Sequence, residues 1–115
     1  MAGFSDLGLC TELLETLSVL DYAEPTPVQQ KAIPQVLKGH DLIAEAQTGT
    51  GKTASFALPM IQRLSTHHVE GEYRQIRGLV LVPTRELSVQ VADDTLEYGR
   101  ALKMRVVAIY GGVRF

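Results

Sequence analysis

Cysteine is almost missing from this chain. Cys10 is the only one among 115 residues, so no internal disulfide can form, and no ligands stand beside it for a metal site. It is expected to be a buried small hydrophobe in a reducing compartment. A surplus of positive charge is lacking too. Lys and Arg number 11 against 13 Asp and Glu, a net charge of -2. The overall balance therefore gives no electrostatic argument for nucleic acid, and any such contact has to come from a local site. Long apolar runs are also absent. Stretches such as Gly78 to Pro83 fall far short of the roughly 20 residues that span a bilayer. Met1 to Leu20 has no basic start followed by an apolar core, so it does not read as a secretory leader. The expected place is the cytoplasm, with no membrane partner. What remains is ordinary globular composition, 45% hydrophobic and 21% charged, which argues against a disordered, collagenous or membrane class. The length bounds the chain to one small domain or less.

Leu9, Leu13, Leu17 and Leu20 recur at helical spacing and predict an amphipathic helix from about Leu7 to Leu20, with Phe4 just ahead of it. Thr26-Pro27 followed by Gln29 is a helix start: a capping hydroxyl, a proline at the first helical position and a glutamine three residues after the cap. That helix is expected to run towards Lys38, bend near Pro34 and end at Gly39. Beyond it, three apolar runs read as buried strands: residues 42–46, 79–82 and 105–110. Helix-compatible stretches from Ala54 to Leu64 and from Arg85 to Leu102 separate them. Strands alternating with helices, each strand nearly all apolar, predict an α/β fold: a parallel sheet with helices on both faces. Ser65 to Arg77 reads as an exposed connection, with His67 and His68 as solvated loop residues.

Gln47-Thr48-Gly49-Thr50-Gly51-Lys52-Thr53 joins the first strand to its helix. A glycine-rich turn at that junction presents backbone N–H groups at the positive end of the helix, where phosphate oxygens accept from them. Gly49 and Gly51 let the backbone curve. Lys52 sets a cation against the outer phosphates, and the Thr53 hydroxyl is of the type that helps hold the accompanying Mg²⁺. The strict P-loop pattern wants glycine where this chain has Ala46. By itself the loop indicates a nucleoside triphosphate, without the base or the work done.

Three further segments join it. Phe4 with Tyr22-Ala23-Glu24-Pro25-Thr26-Pro27-Val28-Gln29, Ala46 to Thr53, Pro83-Thr84-Arg85-Glu86-Leu87 with Gln90, and Tyr110-Gly111-Gly112 together resemble DEAD-box RNA helicases of superfamily 2. They match the Q motif (residues 4–29), motif I (46–53, alanine included), motif Ia (83–87) and the paired-glycine motif (111–112). Asp21 departs from the glycine usual before the aromatic. The resemblance covers nearly the whole chain and implies a RecA-like P-loop NTPase domain, here truncated. It implies ATP as cofactor, with Gln29 reading the adenine edge and Phe4 and Tyr22 beside the base. Thr48, Gly49, Thr50, Gly51, Lys52 and Thr53 would then hold the phosphates, Thr53 also the Mg²⁺, and Lys52 and Thr53 would serve the chemistry. It implies Pro83, Thr84, Arg85, Gly111 and Gly112 on the RNA sugar-phosphate backbone, in contacts that are sequence-independent and salt-sensitive.

Each motif has a plainer counterpart. Gln29 also satisfies a capping-box rule, Pro83-Thr84 is an ordinary strand exit and helix cap, Gly111-Gly112 alone is a turn, and Phe4 alone is core. Neither the Asp-Glu-Ala-Asp nor the Ser-Ala-Thr motif of the family occurs in these residues, nor does the second RecA-like domain with its arginines. The chain by itself is therefore expected to lack ATPase activity and to need that second domain in cis. The alternative is a short nucleotide-binding or regulatory module without turnover; an unrelated P-loop kinase leaves Gln29 and Pro83 to Leu87 unexplained.

Overall fold

A computed structural model describes residues 3–46, 51–66 and 76–111. Phosphate-loop residues Gln47, Thr48, Gly49 and Thr50, both paired histidines and Gly112 lie outside them.

The described residues form four α-helices: α1 (Thr11–Val19), α2 (Pro27–Leu37), α3 (Lys52–Thr66) and α4 (Arg85–Tyr98). A 3₁₀ turn, Phe4–Leu7, precedes α1 and another, Arg100–Leu102, follows α4. The leucine stripe acts as its spacing predicts: Leu13 and Leu17 are fully buried, and Leu9 closes the same core. α1 ends in a Schellman motif, with Tyr22 N donating to Leu17 O (2.9 Å) and Asp21 N to Ser18 O (3.1 Å). This geometry puts Asp21 in the left-handed region at φ 63°, the position helices usually give to glycine. The residue where the chain departs from the family's usual glycine is thus one at which the backbone favours it. α2 ends the same way on Gly39 at φ 85°, with His40 N donating to Gln35 O and Gly39 N to Val36 O. It runs through Pro34 to Leu37.

α2 packs along α3, and α3 in turn meets α4. Ile33 of α2, with Ala54, Ala57, Leu58 and Ile61 of α3, joins Leu13, Leu17, Phe4 and Tyr98 in one core. Cys10, expected to be buried, is half-buried at the N-cap of α1. Its thiol is pushed up, chiefly by desolvation.

The parallel sheet is not formed among the described residues. Segments 42–46, 79–82 and 105–110, expected as strands, carry neither helix nor strand. Exposure nevertheless alternates from residue to residue through 105–110, the period of two of an extended chain. Val106, Ala108 and Tyr110 are half-buried, while Val107 and Ile109 are exposed. Leu81 is 85% exposed and Ile43 96%. A helix closes its backbone hydrogen bonds within itself, whereas a strand needs a neighbour for them. These apolar segments lie against the helical layer on one face at most, without a ladder.

Candidate functional site

Gln29 sits at the third position of α2 and is 3% exposed. Thr26 Oγ1 accepts from Gln29 N (3.4 Å), and Gln29 Oε1 accepts from Thr26 N (2.9 Å), so the capping box forms as the sequence predicts. The same amide reaches further: Nε2 donates to Gly51 O (3.2 Å), across to the residue that opens α3. The capping and ligand readings of Gln29 are therefore not exclusive. Capping uses one of its two acceptor lone pairs and the Gly51 contact one of its two N–H groups, leaving one of each.

Gly51 has φ 83°, and a Cβ there would collide with Gln29 Nε2 and stand 3.2 Å from Thr26 Oγ1. Glycine at position 51 is thus required both by backbone conformation and by a close approach. Lys52 and Thr53 begin α3 directly behind it, Lys52 exposed and Thr53 half-buried. Ser55 Oγ donates to Lys52 O.

Phe4 belongs to the core at 6% exposure. Its ring lies 6.5 Å from that of Tyr22, tilted by 38°. Tyr22 is 38% exposed, so of the two aromatic candidates it is the more accessible. Tyr22 in turn meets Tyr98 of α4 edge-on, at 5.9 Å and 74°, and the two phenols share a hydrogen bond of 2.8 Å. Burial and then that hydrogen bond push the Tyr98 phenol far above the usual tyrosine range.

At the second cluster, Thr84 caps α4, its Oγ1 accepting from Leu87 N (3.1 Å). The Arg85 guanidinium stands 5.7 Å over the Tyr110 ring, a cation–π contact. Arg85 and Tyr110, from two segments that the sequence singled out separately, are therefore brought together. A Cβ on Gly111 would meet nothing within 4 Å, so no neighbour within the described residues requires glycine there. Pro83 is exposed beside Thr84. Among the described residues no group of three or more His, Cys, Asp or Glu is placed to hold a metal.

Sequence reasoning missed Tyr98 and the role of Tyr110. The signal for Tyr98 was present: with Val91 and Thr95 it forms the buried stripe of α4, and a phenol in such a stripe requires a hydrogen-bond partner. No sequence signal pairs Tyr110 with Arg85.

Comparison with known proteins bears on the family. A family model described as DEAD/DEAH box helicase matches residues 26–115. The DEAD-box ATP-dependent RNA helicase RhpA of Helicobacter pylori is 46% identical over 109 residues, 95% of this chain and 21% of RhpA. The RNA helicase Prp28 of Chaetomium thermophilum, solved bound to ADP, superposes with a TM-score of 0.85 at 39% identity, over 99% of this chain and 28% of that one. Dbp5 of S. cerevisiae, solved bound to RNA and ADP BeF3, gives a TM-score of 0.72 at 34% identity, over 88% of this chain and 25% of that one. The chain spans about a fifth of the length of the curated relatives it matches. With the family model covering most of its residues, the chain belongs to the DEAD/DEAH box helicase family.

Proposed function

We propose that the chain is the opening part of the ATP-binding domain of an ATP-dependent RNA helicase, whose whole protein couples ATP hydrolysis to local RNA unwinding or remodelling. The observation that carries this reading is the double attachment of Gln29 to the α2 cap and to Gly51 O. The remaining lone pair on Oε1 and N–H on Nε2 are the acceptor and donor that an adenine edge, with its N6 donor and N7 acceptor, requires. One side chain would thus couple the identity of the base to the seating of the phosphate loop. Tyr22 supplies ring surface for the base, and Phe4 backs it from the core. Lys52, with the loop N–H groups of Thr48, Gly49 and Thr50, balances phosphate charge. Mg²⁺ would arrive with the nucleotide, because Thr53 alone offers one hydroxyl and the phosphates supply the other charged oxygens; bound there, it neutralises charge on the transferring group. Thr84, Arg85 and Gly111, with Pro83 and Gly112, form the RNA-backbone surface, whose contacts carry no base sequence.

In the whole domain we infer that segments 42–46, 79–82 and 105–110 are strands of a parallel sheet, completed by neighbours this chain does not contain. The second RecA-like domain would act in cis, in the cytoplasm. Calorimetry with Mg²⁺ tests the reading by comparing ATP with GTP in the parent chain, Gln29→Ala and Lys52→Ala. ATP-selective binding lost in both variants is expected. Equal affinity for ATP and GTP would overturn the adenine role, and steady phosphate release by this chain, abolished in Lys52→Ala, would overturn its expected inactivity.

A further inference from the structure

Tyr98 lies outside all four motifs, yet it has the one phenol that the core of the described residues holds at 4% exposure. A hydroxyl in such a place needs a partner, since leaving it unpaired costs most of its lost hydration. The partner is Tyr22 OH at 2.8 Å, and Tyr22 is the partly exposed one of the two aromatic candidates. The Tyr22 backbone is pinned independently, its N–H donating to Leu17 O at the end of α1. Its ring has two aromatic neighbours, Phe4 at 6.5 Å and Tyr98 at 5.9 Å in a T-shaped contact. With the backbone held by α1 and the phenol tip held by α4, little torsional freedom is left to the ring.

We propose that Tyr98 is a positioning residue for nucleotide recognition: through its hydroxyl it holds the Tyr22 ring in the orientation that covers an adenine already docked by its edge on Gln29, a placement that guanine, which Gln29 does not seat, cannot use. This rests on the adenine reading above. Tyr98 touches no ligand itself. Its effect is to remove, before binding, the ordering cost that a free Tyr22 side chain would meet on stacking. The hydrogen bond also spans from the Q motif to α4, the helix whose first turn carries Arg85.

The test is steady-state kinetics in the whole helicase that carries this chain, comparing Tyr98→Phe, Tyr98→Leu, Tyr22→Phe and the Tyr22→Phe/Tyr98→Phe pair, with ATP and GTP as substrates. Tyr98→Phe removes one oxygen from the core and nothing else. The expected result is a KM for ATP raised about three- to ten-fold with kcat within two-fold, and a KM for GTP nearly unchanged. The double Phe variant should be no weaker than Tyr98→Phe alone, because both changes delete the same bond. Tyr98→Leu should match Tyr98→Phe in its KM pattern. An unchanged ATP KM in Tyr98→Phe overturns the proposal, as does a fall in kcat at constant KM, the mark of a smaller folded fraction. An equal rise in KM for both nucleotides overturns it as well. Gln29→Ala separates this from the reading beneath it. If Gln29→Ala loses ATP-over-GTP preference while Tyr98→Phe keeps it, the positioning role fails and the adenine site stands. If Gln29→Ala keeps the preference, both fail.

Discussion

Leu13 and Leu81 are the same side chain in opposite surroundings. Leu13 lies in α1 and is fully buried, while Leu81 lies in an apolar run of comparable hydrophobicity and is 85% exposed. The contrast holds for the helices and for the apolar runs outside them, Ile43 at 96% exposure included. From Phe4 to Thr66 the described helices bury one another's apolar stripes, and the caps satisfy their ends. Among the described residues from 76 onward the regular elements are α4 and a 3₁₀ turn, and Leu79, Leu81, Val107 and Ile109 are exposed. The difference follows from what each kind of element needs. A helix completes its backbone bonds locally and asks its neighbours only for a surface to bury one stripe against. A parallel strand asks for backbone partners on its edges and cover on both faces, and these come from distant parts of a chain. Helices can therefore be in place where apolar segments that need strand partners form no ladder among the described residues.

The largest expected effect separates the two regions directly. Leu13→Ala should cost about 3 kcal/mol, the usual range for a buried leucine with its cavity, whereas Leu81→Ala in the same chain should cost less than about 0.5 kcal/mol. Chemical unfolding midpoints measure both. In the whole protein, where the proposed sheet surrounds residue 81, the cost of Leu81→Ala should rise towards that of Leu13→Ala. Equal costs in the chain itself would show that segment 79–82 is already covered and would remove the contrast. Gly51→Ala comes next, at roughly 2–3 kcal/mol, combining a left-handed φ with a displaced Gln29. The Gln29 amide can swing away, but only by giving up its bonds to Thr26 N and Gly51 O. ATP affinity measured beside stability should therefore fall more in Gly51→Ala than in a core variant of equal stability loss. A matching loss in both would mean that Gln29 and Gly51 only support the fold.

Much of the site was legible in the sequence because its signals are local. The Thr26–Gln29 capping box, Pro27 at the first helical position, the Gly39 stop and the helix after Gly51 rest on interactions within about five residues, and all four are present. The bond from Gln29 to Gly51 spans 22 positions and the Tyr22–Tyr98 bond spans 76. No periodicity encodes such pairs; only the chemical need of a buried amide or phenol hints that a partner exists. Apolar, β-branched composition led to the expectation of buried strands at 79–82 and 105–110, whereas Leu79, Leu81, Val107 and Ile109 are exposed among the described residues; only the alternating exposure at 105–110 keeps the strand period. Composition does not reveal whether the partners of a strand are present.

The smallest predicted effects bear on how firmly each region is held. Asp21 at φ 63° and Lys103 at φ 56° are the described non-glycine residues in the left-handed region, one in each region. Each closes a pair of reverse hydrogen bonds: Tyr22 N to Leu17 O with Asp21 N to Ser18 O, and Met104 N to Gly99 O with Lys103 N to Arg100 O. Aspartate tolerates this conformation because its short polar side chain bonds locally, and lysine lacks that help. Glycine removes the steric cost at either place but frees the unfolded chain, and the two terms partly cancel. Lys103→Gly should therefore stabilise by about 1 kcal/mol and Asp21→Gly by about 0.5 kcal/mol, read as shifts in unfolding midpoint. That order assumes both turns are enforced equally by their surroundings. A strained residue releases free energy only if the structure insists on the strain, and the turn at Lys103 leads straight into the unpaired segment 105–110. If Lys103→Gly gives nothing in the chain while Asp21→Gly gives its full increment, the second region is held more loosely than the first at the level of a single turn. If Lys103→Gly gives the larger gain, the loose part begins only beyond Met104, and the difference belongs to the apolar segments that form no ladder among the described residues.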